Sequence, residues 1–317
     1  MDVPPPGPRR TRLGPAAFEE LRGRVAGLAP ARQRPERGAL GYLTAAQVRA
    51  AVGEVRTGRH VSLAAPVATD RTPENPDPAR HPMTGAIGGR MAGQGLEFAR
   101  DRIEMNVHGD VDSHLDALCH VVYRGTLYGG VPAAATLTDA GAGALAVTAA
   151  EAGIVGRGVL LDIPALRDVP WLEPGEYVTA GDLLAAEEAQ GVRFGEGDLL
   201  FVRVGHRRRR QELGPWNAAE ARAGLHPEAA ELLAERQIAV LGSDGNNDCA
   251  PSLVEGVDFP VHVLAIHELG LHLLDYLQFE ELAPLCAAER RWSFLAVVAP
   301  LRLPGGTGSP VNPIAVL

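Results

Sequence analysis

The chain predicts a mixed α/β domain, and three observations carry the prediction. Short β-like runs recur at residues 158–163 (GVLLDI), 198–204 (DLLFVRV), 239–242 and 292–298. Helical spacing falls between and beside them, at residues 180–189, 227–236, 261–270 and 279–289. The 317 residues, 46% of them hydrophobic, suffice for a full core. Strands alternating with helices over such a length are the pattern of an α/β fold.

Before those units the chain reads differently. Residues 1–15 are rich in Pro and Arg and predict a loosely held arm; residues 16–28 have helical spacing, and 45–52 a second short helix. Residues 61–93 are dense in Pro, Gly, Asp and Thr, a composition that suits a long functional loop covering something. Residues 95–128 read mainly as extended, with alternation from 108 to 116. With no internal repeat and no dividing linker, the organisation is an N-terminal arm and helix over 1–40 and a single domain over 41–317.

Composition removes several functions. A formal charge of -9 argues against general attraction to nucleic acid or an anionic membrane, leaving small molecules or other protein chains as partners. All 30 basic residues are Arg, so a P-loop, a pyridoxal Schiff base and a kinase lysine are excluded. Cys119, Cys249 and Cys286 are far apart and form no CxxC pair, which points away from a disulfide scaffold and toward a reducing cytoplasm. The opening residues lack the apolar run of a signal peptide, and no stretch is long and uncharged enough for a membrane span.

The chemistry concentrates between His108 and His120, where HGDVDSHLDALCH packs three His and three Asp into thirteen positions. In an extended segment Asp110, Asp112, His114 and Asp116 share a face, and carboxylates so placed repel unless a cation sits among them. Imidazole and carboxylate are the usual ligands of Zn, Mn or Fe, and the HxD pair His114 and Asp116 is the strongest candidate. The bland alternative is a polar turn whose Asp and Ser groups satisfy local backbone donors.

Other polar groups weigh less. His262 follows Pro260 near a helix start and Asp275 lies past Gly270, while His267 and His272 read as core or surface residues. Asp244, Asn246, Asp248 and Glu255 imitate a calcium loop, but Cys249 stands where its sharp turn needs Gly. The run HRRRR after a strand reads as a solvated turn, and GGTGS is followed by Pro rather than a phosphate-binding helix.

The run SHLDALCH (113–120) resembles the HxGTHxDxPxH signature of the cyclase family, metal-dependent hydrolases that include kynurenine formamidase and isatin hydrolase. Ser113 stands for the motif Thr, and His114, Asp116 and His120 match. Likeness continues through GVLLDIP, DLLFVRVG, GSDGNND, PVH and the C-terminal GGTGSPVNPIAVL, covering about residues 40–317 and looking like the larger, DAL-type branch. Where the family has its first metal-binding His this chain has Asp110, with His108 two residues earlier. Either Asp110 is the third ligand or a bulge lets His108 reach the metal, and a plain strand favours Asp110. The family's distal Glu corresponds approximately to Asp275.

The resemblance implies a swivelling β/β/α fold, a homodimer or higher homo-oligomer, and hydrolysis of a small amide, cyclic amide or lactone. A Mn or Zn ion held by His114, Asp116 and Asp110 or His108 would generate the attacking hydroxide. His120 would pass a proton to the leaving group, with His262 and Asp275 completing the oxyanion contacts or a second metal site. The loop over 61–95 and aromatics such as Phe98, Tyr123 and Trp216 are candidates for shaping the substrate end. Two rivals are a non-haem Fe(II) oxygenase using His114, Asp116 and His262 as its triad, and a binding protein of the same fold without turnover.

Overall fold

The structure is a computed structural model that describes residues 12–29, 35–85 and 98–317. The expected arm, except its last four residues, and residues 86–93 of the expected loop lie outside the described residues.

Nine strands form one sheet: β1 His60–Ser62, β2 His114–Asp116, β3 Ile154–Asp162, β4 Leu199–Arg203, β5 Val240–Ser243, β6 His272–Asp275, β7 Ser293–Val298, β8 Gly308–Pro310 and β9 Ile314–Val316. Their order is β1-β9-β7-β3-β4-β5-β6-β2-β8. The centre, β3 through β6, is parallel, with Val159 beside Leu200 and Val240 beside both Leu199 and His272. Parallel strands need crossovers and are covered on both faces, which is why LLFVR and VLGS are buried at every position. Flanking strands are antiparallel.

Helices α1 Pro15–Leu28, α2 Ala45–Val52, α3 Ala180–Gln190, α4 His206–Leu213, α5 Ala229–Arg236 and α6 Leu282–Glu289 surround the sheet. The expected helices at 16–28, 45–52, 180–189, 227–236 and 279–289 are all present. Their local signals explain them: Pro15 opens α1, Thr44 caps α2, and Thr179 forms a capping box with Asp182 before α3, which stops at Gly191 in the left-handed region. The reading of residues 261–270 as one helix resolves into a turn of α-helix, Pro260–His262, running into a π-helix, Val263–Glu268. Among the described residues no helix is long and apolar enough to cross a membrane.

The core runs through the sheet and reaches α1, whose Phe18, Leu21 and Val25 are buried against it. Phe201 lies 5.8 Å from both Phe294 and Phe279 at its centre. Gly158, opposite Phe294 across β3 and β7, is required there, because a Cβ would stand 2.3 Å from the Phe294 ring.

Two expectations change. The described part of this stretch, residues 98–128, is not mainly extended: among those residues only Arg100–Asp101 and β2 are strands, and residues 106–113 run as loop, so alternation from 108 to 116 does not become one strand. HRRRR is not a solvated turn but the start of α4. There Asp244 accepts from the Val204 and Gly205 amides at 2.7 and 2.9 Å. Arg207 is buried and donates to the carbonyls of Val111, Tyr276 and Leu277, so backbone oxygens replace its water. Burial pushes its guanidinium down to about 10.

His272 faces away from Asp275's neighbours, fully buried, and neither ring nitrogen has a hydrogen-bond partner among the described residues. Burial pushes its pKa down to about 4. Folded His272 is therefore neutral where the unfolded chain, near the usual 6.5, binds a proton. Its contribution is fully present above about pH 6.5 and is lost as pH falls toward 4. We expect His272→Leu to leave stability at pH 7 within about 1 kcal/mol or to raise it. The variant should gain on wild type by on the order of 3 kcal/mol at pH 4. Thermal melts of both proteins across that range check this, and parallel curves would refute it.

Candidate metal centre

The central features of the site follow from three short strands. His114 and Asp116, two apart on β2, share a face of the sheet, and Asp275 on β6 stands directly opposite His114. On the other side of β2, Gly308 lies opposite Asp116 and leaves room for an imidazole, since a Cβ there would be 2.6 Å from His108 Cε1. His108 reaches over from the preceding loop, its Nδ1 2.8 Å from Asp116 Oδ1 and its Nε2 2.9 Å from Thr307 Oγ1. His120 stacks on His108, ring centroids 3.7 Å apart.

His262 comes from the helical turn after Pro260. Asp248 accepts from the Val261 and His262 amides at 2.7 and 2.9 Å and stands 2.6 Å from His262 Nδ1. That carboxylate fixes the tautomer and turns Nε2 inward, 3.4 Å from Asp116 Oδ2 and 3.5 Å from Asp275 Oδ2. His114 is oriented in the same way: its Nδ1 lies 2.8 Å from the Asp112 carbonyl, which only accepts, so Nε2 is bare and 3.5 Å from Asp116 Oδ1. Asn246 and Asn247 donate to the two oxygens of Asp275.

Charge is concentrated where water is excluded. Asp116, Asp248 and Asp275 are each no more than 1% exposed, and Asp116 Oδ2 accepts no hydrogen bond. Burial works against a charge on Asp116, but the imidazoles of His120, His108, His262 and His114 hold its carboxyl well below the usual range. Burial pushes His120 down to about 4. It opposes the imidazolium of His262 as well, yet Asp116, Asp248 and Asp275 together hold that group well above its ordinary value.

Two sets of donor atoms converge within 4.8 Å among the described residues: His108, Asp116 and His120, and His114, Asp116 and Asp275. Buried carboxylates and neutral imidazoles meeting around an orphaned oxygen suit a divalent cation, which would offset negative charge that the protein otherwise leaves to one imidazole. Together they line a pocket of about 610 Å³ whose other wall includes Val122, Tyr123, Val257 and Phe259.

The fold thus gathers His108, His114, Asp116, His120, His262 and Asp275 around one point. Asp110 lines the same pocket but joins neither donor set; it accepts a 2.8 Å hydrogen bond from Tyr276 Oη. The preference for Asp110 over His108 rested on a continuous strand, and the loop before β2 removes that premise. Sequence reasoning missed Asp248, Asn246, Asn247 and Thr307. For the first three the signal lies in the run GSDGNND, which carries a family likeness and also imitates a calcium loop. Its polar residues instead serve separate tasks: Asp244 binds the Val204 and Gly205 amides ahead of α4, the two Asn hold Asp275, and Asp248 holds His262. Tyr123 lines the pocket, Trp216 covers His206 at 4.6 Å, and Phe98 is exposed.

Residues 36–247 match the family model described as "Putative cyclase". The chain belongs to the cyclase family. It is similar to a crystal structure described as a novel cyclase, with 31% identity and a TM-score of 0.79 over 89% of this chain and 94% of that one. Isatin hydrolase A from Labrenzia aggregata, bound to benzyl benzoate, is 23% identical with a TM-score of 0.56 over 84% and 94% of the two chains. Isatin hydrolase A from Ralstonia solanacearum is 22% identical with a TM-score of 0.58 over 86% and 97%. These two likenesses show the shared fold. Compared with curated proteins, the sequence has no match.

In metal-free protein, Asp248→Asn should bring the His262 pKa down, because one of its three carboxylate neighbours becomes neutral. Imidazole resonances followed by NMR through a pH titration measure it, and an unmoved His262 would show that Asp248 does not govern that ring.

Proposed function

We propose that the chain is a metal-dependent hydrolase that opens a small amide, cyclic amide or lactone. One observation carries the reading: Asp116, buried at the base of a 610 Å³ pocket, belongs to both convergent His/Asp donor sets. His114, Asp116 and Asp275 would hold one divalent ion, Mn or Zn, and His108 and His120 extend the set around Asp116 for a second. When bound, such an ion polarises a carbonyl and makes water acidic near neutral pH.

The remaining tasks fall to side chains of this protein. His262, tethered through Nδ1 to Asp248, presents Nε2 to the pocket; the carboxylates of Asp116, Asp248 and Asp275 favour its imidazolium, and with a cation engaging Asp116 and Asp275 the ring would be free to take the proton of the attacking water and return it to the leaving nitrogen or oxygen. Asp248 stabilises the imidazolium that this step forms, as an orienting carboxylate does in other acid–base pairs. His120, neutral at pH 7 because it is buried, is suited to donating a lone pair rather than a proton, which moves it from the shuttle role to the donor set. Val122, Val257 and Phe259 receive the apolar body of the substrate and keep bulk water from the reacting carbonyl.

The oxygenase triad of His114, Asp116 and His262 does assemble, but on a sheet with a parallel centre and crossover helices instead of a double-stranded antiparallel barrel. Hydrolysis without oxygen separates the two readings.

Elemental analysis of wild type should find Mn or Zn near stoichiometry, lost in His114→Ala and in Asp116→Asn. His262→Ala should retain metal and lose about 10²–10⁴-fold in kcat on a competent amide assayed anaerobically. Metal-free wild type, or turnover that requires oxygen, would overturn the proposal.

A further inference from the structure

Helix α1 precedes the 41–317 domain that the sequence delimits, yet it reaches the wall of the metal pocket. The contact is made at Tyr123, which lines the pocket three residues after His120. Tyr123 opens a tight turn: its amide donates to the Thr126 carbonyl at 2.9 Å, and its carbonyl accepts from the Thr126 amide at 3.0 Å. Gly125 and Arg124 complete the turn in the left-handed region. At φ 48° Arg124 is in a conformation that a residue with a Cβ keeps only where its surroundings hold it.

One carboxylate of α1 does the holding. Glu19 Oε1 accepts from the Tyr123 hydroxyl at 2.7 Å and stands 2.9 Å from Arg124 Nη2, so a single oxygen binds both residues at the head of the turn. Glu19 Oε2 accepts from Arg22 at 3.1 Å, and Arg22 continues to Glu268 Oε1 at 2.8 Å. Glu268 ends the π-helix that follows His262, and its carboxylate lies 2.8 Å from His267 Nδ1. His267 Nε2 in turn lies 3.0 Å from Thr126 Oγ1. A closed circuit therefore joins α1, the turn after His120 and the π-helix after His262. Isolated surface ion pairs contribute little, but this circuit binds a neutral hydroxyl and ends on a carboxylate only 9% exposed.

The Tyr123 ring is boxed within it, edge-on to Phe18 at 6.4 Å and to His267 at 5.9 Å. Glu19 is not among the residues that line the pocket, so the hydroxyl is committed outside it and the ring is what a ligand meets. We propose that Glu19 is a positioning residue for substrate: through the Tyr123 hydroxyl it fixes the ring that bounds the pocket beside Val122, and so sets the fit of the substrate's apolar group. Holding the ring before substrate arrives removes an ordering cost that binding would otherwise meet. The inference deepens the hydrolase reading and rests on it for the kind of ligand received.

Formanilide, whose phenyl group would lie on this wall, is the probe, titrated into metal-loaded protein by calorimetry and then assayed for formate release. In Glu19→Ala its Kd and KM should rise about tenfold, as for loss of a charge-assisted hydrogen bond, with kcat within about twofold. Tyr123→Phe should show the same loss, and the double variant no more than about twofold beyond either, because both remove one interaction. Glu19→Gln, which keeps an acceptor for the hydroxyl, should restore affinity to within about threefold of wild type. Arg24→Ala breaks a different ion pair of α1, 2.7 Å to Glu231, and should leave affinity within about twofold; melting temperatures control for folding. A readout without ligand is the Tyr123 phenol: burial raises its pKa and Glu19 raises it further, so Glu19→Ala should lower it, followed by the Cζ resonance. Unchanged affinity in Glu19→Ala, an unmoved Tyr123 phenol, additive losses in the double variant, an equal loss in Arg24→Ala, or no binding by wild type would overturn the assignment. The expected pattern of binding without formate release would support it and count against the hydrolase reading; formate release indifferent to Glu19 would do the reverse.

Discussion

Burying Asp116, Asp248 and Asp275 around His262 is the constraint on which the rest of this structure depends. Ionised carboxylates this deep are tolerable only if each finds a donor or a cation. The chain supplies donors with unusual density: two backbone amides and an imidazole for Asp248, two side-chain amides for Asp275, and imidazoles for Asp116. What these do not cover is Asp116 Oδ2, at the meeting point of the His/Asp donor sets. The incomplete neutralisation marks the reactive end of the pocket, whereas Asp244, whose two oxygens accept from backbone amides with Arg203 and Arg207 nearby, serves a structural site even though burial pushes its carboxyl up to about 6.

Supports for this centre come from distant parts of the chain. Arg207 joins the carbonyls of Val111, Tyr276 and Leu277, tying the loop before β2 to the end of β6, so that His114 and Asp275 stay opposed. Asn246 and Asn247, just after β5, hold the carboxylate at the end of β6. Arg222, buried beneath Phe259 at 5.1 Å, donates to the Asp248 carbonyl and so links an aromatic of the pocket wall to the residue that orients His262. Binding and proton handling therefore share one rigid frame, the arrangement needed for a site that must not relax around its own charges.

Much of this was legible in the sequence where local physics decides. Continuous apolar runs became the parallel strands β3, β4 and β5, and capping residues such as Thr44 and Thr179 placed α2 and α3. His114 and Asp116 were legible because a two-residue spacing needs only a short strand to share a face. The misreadings have one cause. His108 against Asp110, and HRRRR as a turn, rest on local periodicity, whereas a gap at Gly308 and the carbonyls offered to Arg207 lie some 200 and 69–96 residues away in the chain.

The sequence by itself determined the α/β class, the family, the absence of lysine chemistry and the donor residues themselves, because residue type and short spacing suffice for each. Only the tertiary structure decided which donors meet. Asp248 and Asp275 reach His262 from opposite sides, and His108 displaces Asp110 at Asp116. The Asp248–His262 and His108–Asp116 contacts span only 14 and 8 residues, yet each joins a loop or turn to another element whose place strand order and register fix rather than any local pattern.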